Sequence, residues 1–235
     1  MLERIDALDA VEGKQTVCVS VGERTFEIAL QAAGTLGLAV GLEVPPGLLL
    51  QIEAAADRRM AAARVMRYLR GRPRTAAEVR GYLARHGHPN ATVEGVIREL
   101  ETRGLVDDVR YATMFVDGRL AHRPNGVVRL VRDLCTRGVA RPIAEAAARQ
   151  AVGGRESELA LRAARSKFPA AKRLGRERGL RRLMAFLAQR GFSAAVVRQV
   201  SLELFIGEPA VPRPPRRAPS ASRHRRASAS DSKEP

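Results

Sequence analysis

The 235-residue chain contains no Trp, 3 Tyr and 6 Phe. So few rings argue against a single-strand nucleic-acid binder that works by stacking, because that mode sets several exposed aromatics against successive bases. Two cysteines, Cys18 and Cys135, are too few for a disulfide framework. No apolar run approaches the roughly 20 residues of a membrane span. The opening Met1-Leu2-Glu3-Arg4-Ile5-Asp6 has neither the basic stretch nor the apolar stretch of a secretory signal, so a cytoplasmic location is expected. Catalytic equipment is missing as well. His86, His88 and His122 have no Cys partner at zinc spacing, and Cys135 is expected on an apolar helix face without a base. No Gly-x-x-x-x-Gly-Lys-Ser/Thr loop is present to hold a triphosphate. The expectation is therefore a non-enzyme with no metal and no cofactor.

What the chain does have is aliphatic mass and positive charge. Apolar residues make up 45% and charged residues 28%, near globular averages, which excludes disorder throughout. Basic side chains number 41 against 25 acidic, net +16, and point to a polyanionic partner. The charge is uneven: residues 1–52 hold three basic and seven acidic residues, 53–207 hold 31 and 15, and 208–235 hold seven and three. The last segment, rich in Pro, Ser, Ala and Arg, lacks apolar periodicity and reads as a disordered tail.

Local patterning divides the rest. Val17, Val19 and Val21 alternate with Cys18 and Ser20, Gly22-Glu23 turns the chain, and Phe26, Ile28 and Leu30 resume the alternation. This predicts a β-hairpin, with a further short strand near 39–44 and a helix start at Pro45-Pro46. From Leu48 onward apolar residues recur at three and four, as in Val65/Leu69, Val79/Leu83 and Leu130/Val131/Leu134, so the remainder is helical. Leu-x-x-x-Gly recurs at Leu83–Gly87, Leu134–Gly138 and Leu187–Gly191, spaced by 51 and 53 residues, and a helical run follows each. The fold class is thus mainly α: three tandem three-helix repeats (48–105, 106–153, 154–207) forming an elongated curved body behind a small β-hairpin cap (1–47). Helices are expected at 48–70, 75–86 and 91–103, at 107–122, 125–137 and 141–151, and at 155–167, 174–190 and 194–206.

Several motifs have structural explanations. Arg103-Gly104, Arg137-Gly138 and Arg190-Gly191 fit helix C-termini, where Gly takes the left-handed conformation and Arg complements the helix dipole. Asp107-Asp108 fits an N-cap and first turn better than a metal pair. On the helix Val127–Arg137, Arg129, Arg132 and Thr136 share a side opposite the apolar stripe, with Arg129 and Asp133 placed to pair. The accumulation of Arg, among them Arg70, Arg74, Arg123 and Arg132, supports contact with phosphates or an acidic groove.

The residues also resemble the RecX regulators. Arg67-Tyr68-Leu69-Arg70-Gly71-Arg72-Pro73-Arg74-Thr75 with Glu78-Val79 and Leu83 is similar to that family's opening motif. Gly104-Leu105-Val106-Asp107-Asp108 followed by Tyr111-Ala112, Phe115-Val116 and Arg119 resembles its most specific stretch. Gly126, Leu134 and Arg137-Gly138-Val139 resemble a further helix, and Arg190-Gly191-Phe192-Ser193 its end. The likeness spans about 54–205; Thr75 stands where Ser is usual, and Arg110 where an acidic residue is frequent. The resemblance implies a regulator of DNA repair and the SOS response that binds the RecA recombinase filament on single-stranded DNA and restrains its ATPase and strand exchange. Affinity for single-stranded DNA, and for double-stranded DNA as a second candidate, goes with it, and a monomer is expected. The candidate contact residues are Tyr68, Arg70, Arg72, Arg74, Asp108, Tyr111, Arg119, Arg123, Arg129, Arg132, Arg137 and Arg190. Gly87, Gly104, Asp107, Gly126, Gly138 and Gly191 are the structural positions of the motifs. The competing reading is a DNA-binding regulator of tandem helix-turn-helix units, with the helix pair in Thr75–Gly104 entering a major groove.

Overall fold

The structure, a computed structural model, describes residues 3–206. The tail expected at 208–235 lies outside them. Residues 3–44 form an antiparallel sheet of four strands in the order β3-β2-β1-β4: β1 Glu3–Ala10, β2 Thr16–Val21, β3 Arg24–Ala29 and β4 Glu43–Val44, with helix α1 Leu30–Thr35 between the last two. The expected hairpin is β2–β3, pairing Val19 with Phe26 and Val17 with Ile28. The structure adds β1, which period-two patterning does not reveal. A register shift between Ile5 and Ala7 breaks the alternation, so its apolar residues Ile5 and Leu8 fall three apart. Leu30, read as the last position of the strand alternation, instead starts helix α1.

Helix α2 (Pro46–Leu69) starts with Pro in its first turn and runs 24 residues, about 36 Å at 1.5 Å per residue. That length lets it serve two cores. Its N-terminal half puts Ile52 against Ile5, Val19, Val21 and Ile28 of the sheet. Its C-terminal half puts Ala61 and Val65 against Val79, Leu83, Val93, Val96, Ile97 and Leu100. The latter belong to α3 (Ala76–Arg85) and α4 (Asn90–Thr102), which complete the first repeat. The second repeat is α5 (Asp108–His122), α6 (Val127–Cys135) and α7 (Arg141–Val152). The third comprises α8 (Glu156–Arg165), α9 (Phe168–Lys172), α10 (Arg176–Gln189) and α11 (Ala194–Phe205). All nine expected helices are present. The short α9, started by Pro169 and followed by Gly175 at φ +79°, was not anticipated. Repeats two and three share one aliphatic core, from Ala112 and Leu130 through Leu159 and Leu183 to Phe205.

Successive repeats are joined end to end through α3, α6 and α10, the helix of each that the Leu-x-x-x-Gly motif closes. Thr75 caps α3 in a reciprocal box with Glu78, and its hydroxyl also donates to the Arg137 carbonyl at the end of α6 (2.8 Å). The Ala76 N–H in the same first turn donates to Asp108 Oδ1 (2.9 Å). One repeat further on, Gly126 N–H donates to the Arg190 carbonyl (2.9 Å) and Val128 N–H to the Gly191 carbonyl (3.3 Å). Helix C-terminal carbonyls thus meet helix N-terminal N–H groups or the residue that caps them, satisfying groups that neither helix can satisfy internally. The approach is close enough that a Cβ on Gly126 would strike the Gly191 carbonyl, and one on Gly138 would strike Ala77.

The three equivalent glycines separate conformation from packing. Gly87 and Gly191 have φ +80° and +79°, but space around Gly87 is open whereas a Cβ on Gly191 would strike the Arg129 backbone. Gly87→Ala should cost only the left-handed strain, about 1–2 kcal/mol. Gly191→Ala adds overpacking of about 1–3 kcal/mol. Thermal denaturation followed by circular dichroism should therefore rank Gly191→Ala as clearly the less stable; equal melting temperatures would mean that the joint does not depend on close approach.

Candidate functional site

The joints place arginines at the mouths of clefts. Between the first and second repeats lies a cavity of about 700 Å³ lined by Arg72, Pro73, Ala77, Glu78, Tyr111, Phe115, Cys135, Thr136, Arg137 and Gly138. Arg72 and Tyr111 also border an adjoining groove of about 580 Å³, with Met66, Leu69, Arg70, Arg74, Gly104, Leu105, Asp107, Arg110 and Met114. Two of the rings here, Tyr68 and Phe115, are covered by cations. Tyr68 stacks on Tyr82 (4.1 Å between centroids, 2° between planes) and carries the Arg74 guanidinium at 4.0 Å. Phe115 carries Arg137 at 4.7 Å and Arg119 at 5.3 Å. Such contacts hold a guanidinium without neutralising it.

Between the second and third repeats a smaller cleft, about 230 Å³, is lined by Arg119, Arg123, Asn125, Arg129, Asp133, Phe186, Gln189 and Arg190. Asp133, with its side chain 13% exposed, pairs with Arg129 (3.0 Å) and Arg119 (3.4 Å). Arg190 lies over Phe186 at 5.1 Å and donates to the Pro124 carbonyl (3.3 Å) and Asn125 Oδ1 (3.5 Å). Burial, and then the charges of Arg123 and Arg129, hold the Arg190 guanidinium below its ordinary value. Arg119, reaching both Phe115 and Asp133, links the two clefts, so cationic side chains run across all three repeats.

Of the expected contact residues, Arg70, Arg72, Arg74, Tyr111, Arg119, Arg123, Arg129, Arg137 and Arg190 line these clefts, and Tyr68 supports Arg74. Asp108 does not face a cleft; it caps α3 across the joint. Arg132 is exposed but lines none of the three, because α6 presents Arg129 and Asp133, not Arg132, to the second cleft. Among the structural positions, Asp107 caps α5 through Val109 and Arg110 N–H. Cys135, expected on an apolar face, is exposed in the first cleft, because α6 turns Leu134 and not Cys135 to the core. Phe115, Phe186 and Asn125 were not singled out as site residues. The Phe-x-x-x-Arg spacing of Phe115/Arg119 and Phe186/Arg190 is a helical i, i+4 signal that could have marked both rings. Among the described residues no group of three or more His, Cys, Asp or Glu is placed to hold a metal, and no helix is long and apolar enough to cross a membrane.

Comparison with known proteins agrees with this arrangement. Family models described as the first, second and third three-helix domains of RecX match residues 61–100, 107–147 and 155–200. The chain belongs to the RecX family. A protein named regulatory protein RecX from Prosthecochloris aestuarii is 34% identical over 148 residues, covering 63% of this chain and 95% of that one. A protein of the same name from Mycobacterium avium is 33% identical over 144 residues, covering 60% and 83%. A crystal structure of regulatory protein RecX superposes with TM-score 0.73 at 22% identity over 85% of this chain and 98% of its own, which shows a common fold. RecX from Lactobacillus salivarius gives 0.59 at 20% identity over 63% and 97%.

The carboxylate of Asp133 is what permits Arg119 and Arg129 to lie so near Arg123 and Arg190. Asp133→Asn should lower stability by about 1–3 kcal/mol, since the carboxylate charge that pairs with Arg119 and Arg129 is lost and like charges remain. Part of the loss should vanish as salt rises, because screening weakens the repulsion. Melting curves at low and high ionic strength check this; a salt-independent deficit would show that repulsion is not the cause.

Proposed function

We propose that this RecX-family protein regulates the RecA recombinase by binding rather than by chemistry, occupying the groove of its filament on single-stranded DNA and restraining ATP hydrolysis and strand exchange. The observation that carries the reading is the cationic stripe that crosses both joints, set in a chain of RecX type. An elongated run of guanidinia suits a long anionic surface better than a small substrate. The protein acts as a cytoplasmic monomer with affinity for single-stranded DNA and, secondarily, for duplex DNA.

The competing helix-turn-helix reading would lay α4 in a major groove. Its exposed surface disfavours that. Glu94 and Glu101 stand there with Arg98, and Glu94 is already held by Arg80 at 2.6 and 2.9 Å. That contact holds the Arg80 guanidinium above its ordinary value and Glu94 below its own. Carboxylates on the inserted helix would face phosphates and lose rather than gain binding energy.

Two measurements test the proposal. DNA binding should be weak in sequence preference and steep in salt: if about five phosphates of a single strand are neutralised, log K against log salt should slope near −3.5. A flat response would refute the electrostatic reading, and a preference of about a thousandfold for one duplex site would favour the competing one. In the second, RecA ATPase on single-stranded DNA is titrated with the protein. Arg72→Glu with Arg137→Glu should weaken restraint by about 2–5 kcal/mol of association where those contacts are desolvated. Arg213→Glu with Arg216→Glu changes net charge equally and should leave restraint intact. Equal inhibition by both doubles, with unchanged helical circular dichroism, would remove the first cleft from the interface.

A further inference from the structure

The cleft between the second and third repeats differs from the rest of the stripe in how tightly its charge is packed: the groove beside the first joint sets Arg70, Arg72, Arg74 and Arg110 against Asp107, the same formal balance, but in about 580 Å³. Arg119, Arg123, Arg129 and Arg190 converge from three segments on about 230 Å³, and Asp133 is the one carboxylate lining it, leaving a formal excess of three positive charges. Arg190 is oriented entirely by neutral groups: the Pro124 carbonyl, Asn125 Oδ1 and the Phe186 ring. Asn125 is 7% exposed and is itself anchored by donating to the Arg123 carbonyl (3.3 Å). The fork of Arg190 is thus aimed without being neutralised, while Asp133 holds Arg119 and Arg129 beside it. The N–H groups of Gly126, at the N-cap, and of Val128 are spent on the Arg190 and Gly191 carbonyls, so the charged donors in the cleft are the guanidinia.

We propose that this cleft, formed by Arg119, Arg123, Arg129 and Arg190 around Asp133, is a binding site for a phosphomonoester dianion. Charge and size favour that ligand. A carboxylate or a backbone phosphodiester brings one negative charge and leaves two positive charges uncompensated. A phosphomonoester carries about −1.5 to −2 at neutral pH on three acceptor oxygens, enough to engage several forks together. The volume lies below the roughly 300–1,000 Å³ of sites that enclose a drug-sized ligand, so the cleft takes the phosphate and leaves its substituent outside. Because Arg119 and Arg123 come from the second repeat and Arg190 from the third, an occupied cleft ties the two together. The site does not depend on recombinase binding, and its test uses none.

The experiment is calorimetric titration of the full chain, at constant ionic strength, with inorganic phosphate, a nucleoside 5′-monophosphate, and acetate for comparison. Saturable, one-to-one binding of the phosphates and none of acetate is expected. Arg123→Gln, at an exposed position, should weaken it by at least about tenfold, as expected for losing a charged hydrogen bond, while Arg72→Gln in the other cleft should not. A readout needing no variant is pH. Affinity should fall as the pH drops through about 6, where the ligand loses its second charge. The other titratable or charged groups near the cleft are His122, next to Arg123 in the chain, Asp133, and Lys167 over Phe186. Single-stranded oligonucleotides with and without a 5′-phosphate separate the sources. A gain from the 5′-phosphate that Arg123→Gln abolishes assigns the site to a strand end, and no gain beside tight mononucleotide binding assigns it to a free phosphate compound. Binding of acetate equal to phosphate, affinity rising below pH 6, or full binding by Arg123→Gln would each overturn the proposal.

Discussion

The carbonyl groups that end α6 and α10 have no partners within their own helices, and the N-terminus of the preceding repeat's second helix takes them up. Arg137 O is satisfied by the Thr75 hydroxyl, Arg190 O by Gly126 N–H and Gly191 O by Val128 N–H. Three consecutive three-helix units are thereby aligned through α3, α6 and α10, with the negative end of one helix dipole against the positive end of the next. A small three-helix unit has little apolar surface to bury alone. These backbone junctions set its angle to the neighbour where core contacts are few.

The same constraint explains where the arginines go. A left-handed Gly after α6 and after α10 is needed for the chain to turn and for the preceding repeat to approach closely, which places the residue before that Gly at the rim of the joint. In repeats two and three that residue is Arg, and each guanidinium lies over a Phe, Arg137 over Phe115 and Arg190 over Phe186. The rings support the long side chains at little cost in charge compensation, so the cations remain available to an anion. Asp133 plays the complementary part at the second joint, permitting a density of positive charge that the fold alone would resist.

The two joints are not alike. Repeats two and three share a continuous aliphatic core beneath their cleft, whereas the first repeat packs with the sheet through α2 and meets the second through Thr75, Asp108 and the Gly138–Ala77 contact. The first cleft is correspondingly wide and the second small. A broad surface suits a macromolecular groove, and a confined, charge-rich one suits a single compact anion.

Much of this was legible in the chain before any coordinates. Helical periodicity, the capping position Asp107 and the recurring Gly at 51- and 53-residue intervals are expressions of local backbone energetics, and they located all nine repeat helices. Strand β1 was not legible because a register shift erased its alternation, nor was α9, five residues long and wedged between turns. The candidate arginines were identifiable as a population but not as partners. Thr75 meets Arg137 across 62 residues and Arg190 meets Asn125 across 65, and no local pattern encodes such separations. Sequence by itself determined the helices, their ends and the sign of the charge, because each depends on neighbours within a turn or two. Which guanidinia share a cleft, and which one, Arg132, stays outside, was decided only when helix ends from different repeats met.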